Sequence, residues 1–233
     1  MQGNKPEIGS GHTGRPRKKI LLVDDHPVVR QGLAQLIEAE SGLSVCYQAS
    51  GVSEAMELLR SGSPDVAVVD LTLSDGSGLN LVEQIHTSRP DVPILVLSMH
   101  DENVYAERCL RVGAQGYIMK KEPPEKVIEA IRKVLMGEVY LGPEIADHLM
   151  RKRGNKSGMQ EDEDSVRKLS NRELEVFQMM GSGLGTRDIA SRLKLSAKTI
   201  ETHVEHIKKK LGVHSGREIV VRAAEWVRNG DAL

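Results

Sequence analysis

Five strand-length apolar runs punctuate the first part of this chain: ILLV from Ile20, LSVCYQA from Leu43, DVAVVD from Asp65, PILVLS from Pro93 and QGYIM from Gln115. Between and after them lie stretches with helical periodicity, beginning near Pro27, Ser53, Ser77, Asp101 and Pro123. A run that is apolar throughout is buried on both faces, and a strand followed by a crossover helix returns parallel to its predecessor. The alternation therefore predicts an α/β fold, a five-stranded doubly wound parallel sheet that ends near Gly137.

Sheets of this kind bind ligands beyond the carboxyl ends of their strands. Asp24 and Asp25 close the first run, Asp70 the third, Ser98 the fourth and Lys120 the fifth, so all five groups are expected at one edge. Three carboxylates gathered there raise one another's pKa unless a cation joins them. A hard divalent ion with a preference for oxygen, Mg²⁺, suits such a donor set. A carboxylate beside Mg²⁺ is also a nucleophile for phosphorus, with the lysine and the serine hydroxyl left to hold the other phosphoryl oxygens.

Charge divides the chain. From Lys19 to Tyr140 there are 11 Lys and Arg against 18 Asp and Glu, a balance of −7, whereas from Arg167 to Leu233 there are 13 against 8, a balance of +5. An acidic module joined to a basic one predicts that the second is drawn to a polyanion. Its sequence is helical throughout. SNRELEVFQMMGSG opens with Ser170 as N-cap and Glu173 three residues on, the capping-box pattern. GTRDIASRL makes a second, short helix; Ser196 caps a third, with Ile200, Val204, Ile207 and Leu211 on one stripe; REIVVRAAEWVRN makes a fourth. A short helix, a tight turn and a longer helix form a helix-turn-helix candidate in a small all-α domain.

Ser196, Lys198 and Thr199 at the start of the third helix are phosphate donors beside a favourable dipole, with Thr186 and Arg187 opening the helix before it and Lys209 further along. The fourth helix carries an apolar stripe that includes Ile219, Val220, Ala223 and Val227, wider than a small domain needs, and part of it is expected to form a two-fold contact. His203 and His206 lack a third ligand at metal-binding spacing.

The remaining segments read as connections. Residues 1–18 are a basic, glycine-rich tail expected to be unordered, and residues 139–166 a linker with one helix from Pro143 to near Gly154 followed by a polar, acidic spacer. Two cysteines give no disulfide framework, no apolar run approaches the roughly 18 residues of a membrane span, and the N-terminus lacks a signal-peptide core. A cytoplasmic setting with no membrane partner is the expectation.

The set Asp24–Asp25, Asp70, Ser98, Tyr117 and Lys120 resembles the receiver domain of bacterial two-component response regulators, and VDDHPVVRQGL is similar to the NarL/FixJ subfamily. The resemblance implies a flavodoxin-like domain over residues 19–138 in which Asp70 is phosphorylated by a cognate sensor histidine kinase. It also implies that Asp25, Asp70 and the Thr72 carbonyl hold Mg²⁺, that Asp24 assists through water, and that Ser98 and Tyr117 are a switch pair moving inward on phosphorylation. Thr72 and His100 fall where family members set how fast water removes the phosphoryl group. The loop LTLSDGSG departs from the family, which usually has proline at the position of Ser74 and a bulky apolar residue at Gly76, so this loop is expected to be more mobile. Residues 167–233 resemble the LuxR-type DNA-binding domain, which implies that Glu201, Thr202 and Glu205 face base edges in the major groove, on promoter half-sites bound by a homodimer. Gly216 stands where that family commonly has arginine.

Two other classes compete with a phosphorylation-controlled transcription factor. A phosphatase of the haloacid dehalogenase kind also uses an aspartyl phosphate, but places its nucleophile early and its acid pair late, the reverse of the order here. An interaction module that uses DNA little or not at all would differ from the first reading in a salt-titrated DNA-binding assay.

Overall fold

Each apolar run forms a strand within one or two residues of its expected limits. The computed structural model describes residues 16–99, 102–143, 145–146, 166, 168–193 and 195–231. Strands β1 (Lys18–Val23), β2 (Leu43–Ala49), β3 (Val66–Val69), β6 (Ile94–Ser98) and β7 (Gly116–Met119) make a parallel sheet in the order β2-β1-β3-β6-β7. Between β3 and β6 lies a two-stranded antiparallel hairpin, β4 (Thr72–Leu73) with β5 (Gly76–Ser77), which the periodicity did not predict.

Helices α1 (Pro27–Glu38) and α5 (Pro124–Leu135) cover one face of the sheet, where Ile37, Val127, Ile131 and Val134 pack on Ile20, Leu22, Val68 and Leu97. Helices α2 (Val52–Ser61), α3 (Gly78–Ser88) and α4 (Glu102–Arg111) cover the other, through Ala55, Leu59, Val82, Ile85 and Ala106. Prolines stand in the first turns of α1 and α5, where their missing N–H costs nothing.

The C-terminal part holds α6 (Asn171–Gly181), α7 (Thr186–Arg192), α8 (Ala197–Leu211) and α9 (Gly216–Asp231). The capping box is formed in full: Ser170 Oγ accepts from Glu173 N and the Glu173 side chain accepts from Ser170 N. Helix α8 is capped by Ser196 and ended by Gly212 in the left-handed region, at φ 68°. Ile200, Ile207 and Leu211 of its stripe are buried and Val204 half-buried, against α6 and α7. Pro143, Ile145 and Ala146 are helical where a helix was expected; the rest of that helix, the acidic spacer, the first 15 residues and His100 lie outside the described residues.

The two parts touch through α4. Arg108, 8% exposed, donates from Nη1 to Leu169 O at 2.8 Å and from Nη2 to Val166 O at 3.2 Å. Tyr105 lies 6.3 Å, ring to ring, from Trp226 of α9, which in turn stacks at a tilt on Phe177 of α6. One apolar cluster therefore continues from beneath α4 into the C-terminal helices.

Candidate functional site

The sheet's hydrogen bonds run one residue past the strands. Asp24 N donates to Ala49 O at 3.1 Å, Asp70 N to Val23 O at 2.9 Å and Lys120 N to Ser98 O at 2.8 Å, which sets these side chains side by side at the carboxyl edge. Lys120 Nζ then reaches Asp24 Oδ2 at 2.6 Å and Asp70 Oδ2 at 2.8 Å. Asp24 and Asp70 are almost fully buried, at 1% and 3% exposure, and Ser98 and Tyr117 are both at 0%.

Burial pushes the Asp70 carboxyl above its ordinary pKa; Lys120 works against that shift, and Asp24 adds to it. Burial also opposes the charge on Lys120, but the attraction of Asp70 and Asp24 outweighs it and raises the lysine pKa. The Lys120 ammonium thus pairs with two of the three carboxylates, Asp24 and Asp70.

Ligand atoms of Asp24, Asp25, His26 and Asp70 all lie within 4.8 Å of one another. His26 Nδ1 stands 2.8 Å from Asp25 Oδ1, close enough for an ion pair when the imidazole is protonated. Its ring is not aligned for a hydrogen bond, and among the described residues none reaches that buried oxygen. An excess of buried anionic oxygen, one atom of it without a donor, is the chemistry that a hard divalent cation satisfies. The residues present fit Mg²⁺.

Most of the groups expected to face DNA lie at the surface, at the start of α7 and along α8. Arg187, Ser196, Lys198, Glu201, Thr202, Glu205 and Lys209 are exposed, and Thr186 and Thr199 half-exposed. Several of these groups also work within the helix. Ser196 Oγ accepts from Thr199 N at 3.0 Å and is hydrogen-bonded to Thr199 Oγ1 at 2.7 Å, Thr202 Oγ1 donates back to Lys198 O at 3.0 Å, and Lys208 pairs with Glu205 at 2.7 Å.

The apolar stripe of α9 divides between core and surface. Ile219 and Ala223 are both at 0% exposure within the domain's own core, so neither is free for a second copy. Val220, at 41%, faces out and Val227 is half-buried. Gly181 explains the depth of that packing: a Cβ there would stand 2.4 Å from Ala223 O, so glycine alone lets α6 approach α9 so closely. At Gly216 an added Cβ meets nothing within 4 Å, so the backbone there has room for a side chain.

Sequence reasoning missed His26 beside the acid pair, Arg108 between the two parts, and Asp75. The last was legible only as part of the turn Ser74–Asp75–Gly76, whose composition signals a hairpin.

The profile described as response regulator receiver domain matches residues 20–132, and that of bacterial regulatory proteins, luxR family, matches residues 167–223. The oxygen regulatory protein NreC of Staphylococcus carnosus is 38% identical over 205 residues, 87% of this chain and 94% of that protein. A two-component response regulator of the LuxR family from Aurantimonas sp. SI85-9A1 is 34% identical, with a TM-score of 0.56 over 60% of this chain and 99% of that one. RcsB of Salmonella enterica serovar Typhimurium, solved on promoter P1flhDC with the phosphomimetic BeF3−, shares the fold at a TM-score of 0.67 and 22% identity, over 90% of this chain and 99% of that one. The described residues include no helix long and apolar enough to cross a membrane.

Proposed function

The chain belongs to the response regulators that join a receiver domain to a LuxR-type DNA-binding domain, and we propose on that premise that Asp70 is its phosphoacceptor and that phosphorylation there governs promoter binding by α8. The receiver is taken as residues 19–138 and the DNA-binding domain as 167–233, with 139–166 as linker. The observation that carries the reading is the convergence of Asp24, Asp25, Asp70 and Lys120 at one sheet edge.

In this reading an Asp70 carboxylate oxygen attacks the phosphorus of a phosphohistidine on a sensor kinase. The new O–P bond forms as the P–N bond breaks, and the kinase imidazole leaves. Asp25, Asp70 and the Thr72 carbonyl, with Asp24 through water, would hold Mg²⁺, which would supply positive charge beside the incoming group. Lys120 moves from pairing two carboxylates to holding a phosphoryl oxygen, and the Ser98 hydroxyl donates to another. Ser98 leads directly into the segment before α4, and Tyr117 lies on the strand beneath it, so a pull on Ser98 is transmitted to the helix that contacts the C-terminal domain. Because Lys198, Glu201, Thr202 and Glu205 of α8 are exposed while α4 contacts Leu169 at the entry to α6 and Trp226 of α9, this reading has the receiver restrain the DNA-binding domain from behind and leave those groups uncovered. Pairing of two copies on half-sites through Val220 and Val227 would add affinity by effective concentration.

DNA contacts separate into two kinds. Lys198→Ala removes one phosphate contact, so it should weaken binding similarly across sequences and flatten the salt dependence by about one unit. Glu201→Ala and Thr202→Ala should change which sequences are preferred, because a glutamate accepts from cytosine N4 and the threonine methyl meets thymine. Binding selections from random duplexes at two salt concentrations measure both. Unchanged preference in both base-facing variants would move base reading to another surface.

A further inference from the structure

The loop after Asp70 lacks the proline and the bulky apolar residue expected at Ser74 and Gly76, and another device ties it down. Ser74 and Asp75 form the tip of the β4–β5 hairpin. The Asp75 carboxylate accepts from Val52 N through Oδ1 at 2.8 Å and from Ser53 N through Oδ2 at 3.1 Å. These are the first two N–H groups of α2, whose N-cap, Gly51, has no side chain with which to satisfy them. Gly51 is also what admits the carboxylate: a Cβ there would stand 2.4 Å from Asp75 Oδ1 and 2.7 Å from Oδ2. At the base of the hairpin Thr72 pairs with Ser77, and Thr72 N donates to Asp70 Oδ1 at 3.2 Å. The tip is anchored to α2 and the base to the phosphoacceptor.

We propose that Asp75 is a positioning residue for the phosphoryl-accepting site, a carboxylate strut between the hairpin tip and the first turn of α2 that holds the Thr72 carbonyl where a divalent cation meets Asp25 and Asp70. The inference rests on the reading of the acid cluster as a Mg²⁺ site. A two-pair hairpin has little stability of its own. A carboxylate facing two N–H groups at a helix N-terminus is favoured by charge-assisted hydrogen bonding and by the helix dipole. With the strut in place the loop is ordered before the cation arrives, so binding does not bear the entropy of ordering it. The hydrogen-bonded strut supplies the stiffness that a proline at position 74 would give.

The test uses the full chain and Mn²⁺ alone, titrated by electron paramagnetic resonance at a temperature where melting curves show every variant folded. Asp75→Ala should weaken Mn²⁺ binding about fivefold, and Asp75→Asn, which keeps one carbonyl acceptor, should recover at least half of the loss on a logarithmic scale. Gly51→Ala should weaken binding to a similar degree by expelling the carboxylate, yet add nothing in the Asp75→Ala background, because the atoms it would strike are gone. Wild-type affinity in Asp75→Ala, even with a lowered melting temperature, would reduce Asp75 to a helix cap and overturn the proposal. So would independent, multiplying effects of the two substitutions. If wild type binds no Mn²⁺, or Asp25→Asn binds it equally well, the metal-site reading itself fails, and this inference with it.

Discussion

Asp70→Asn is expected to abolish phosphoryl uptake from acetyl phosphate, lowering the rate of labelling at least ~100-fold, because it removes the nucleophilic oxygen while keeping size and fold. Asp70 is 3% exposed and bonded to Lys120 at 2.8 Å, so the amide leaves the ammonium with Asp24 and the sheet edge otherwise intact. Asp25→Asn should leave the nucleophile in place but weaken the divalent cation by at least the ~10-fold typical of outer ligands. Raising Mg²⁺ should then recover uptake in Asp25→Asn and never in Asp70→Asn. Chelating the metal should stop uptake by wild type. Labelling of Asp70→Asn at the wild-type rate would mean that the phosphoacceptor lies elsewhere.

Arg108→Ala is expected to release the DNA-binding domain without phosphorylation. The guanidinium donates to two backbone carbonyls, Val166 O and Leu169 O, at the entry to α6, and burial has already lowered its pKa, so these bonds are formed away from water. Hydrogen bonds from a charged donor contribute roughly 1.5–3 kcal/mol each, so the equilibrium constant for docking should fall about tenfold or more. Trp226 is the chain's one tryptophan and lies 6.3 Å from Tyr105 across this contact, so its emission reports undocking directly. A red shift in Arg108→Ala, with DNA affinity close to that of the fragment from Arg167 onward, is the expected pair of results. An unchanged emission and unchanged affinity would mean that α4 does not restrain the domain.

The strand ends were legible because two independent regularities coincide there. Apolar runs of four to seven residues fix where each strand stops, and the rule that ligands gather at carboxyl ends then brings Asp24, Asp70, Ser98 and Lys120 together without any knowledge of side-chain geometry. Helix limits were legible where the cap is local, as at Ser170 and Glu173. Asp75 was not, because its partners Val52 and Ser53 are 23 and 22 residues away and no local pattern ties a turn aspartate to a distant helix end. Arg108 was hidden for a similar reason. In ENVYAERCLR it reads as one more surface charge, and only docking against residues 58 and 61 positions further on buries it. The stripe on α9 shows the limit of periodicity: it identifies an apolar face but not whether α6 or a second copy covers it. Gly181 decides that for Ala223 by letting the two helices meet.

Control of DNA binding through Asp70 is tested most directly by fluorescence anisotropy on one duplex, selected from random sequence by the phosphorylated protein, at a single salt concentration. The whole chain is titrated before and after treatment with acetyl phosphate and Mg²⁺, and Asp70→Asn is treated in parallel. Phosphorylation should tighten wild-type binding about tenfold, within the range usual for coupling between two sites, and leave Asp70→Asn at its untreated affinity. Equal affinity for the treated and untreated wild-type chain, with labelling of Asp70 verified, would contradict the account.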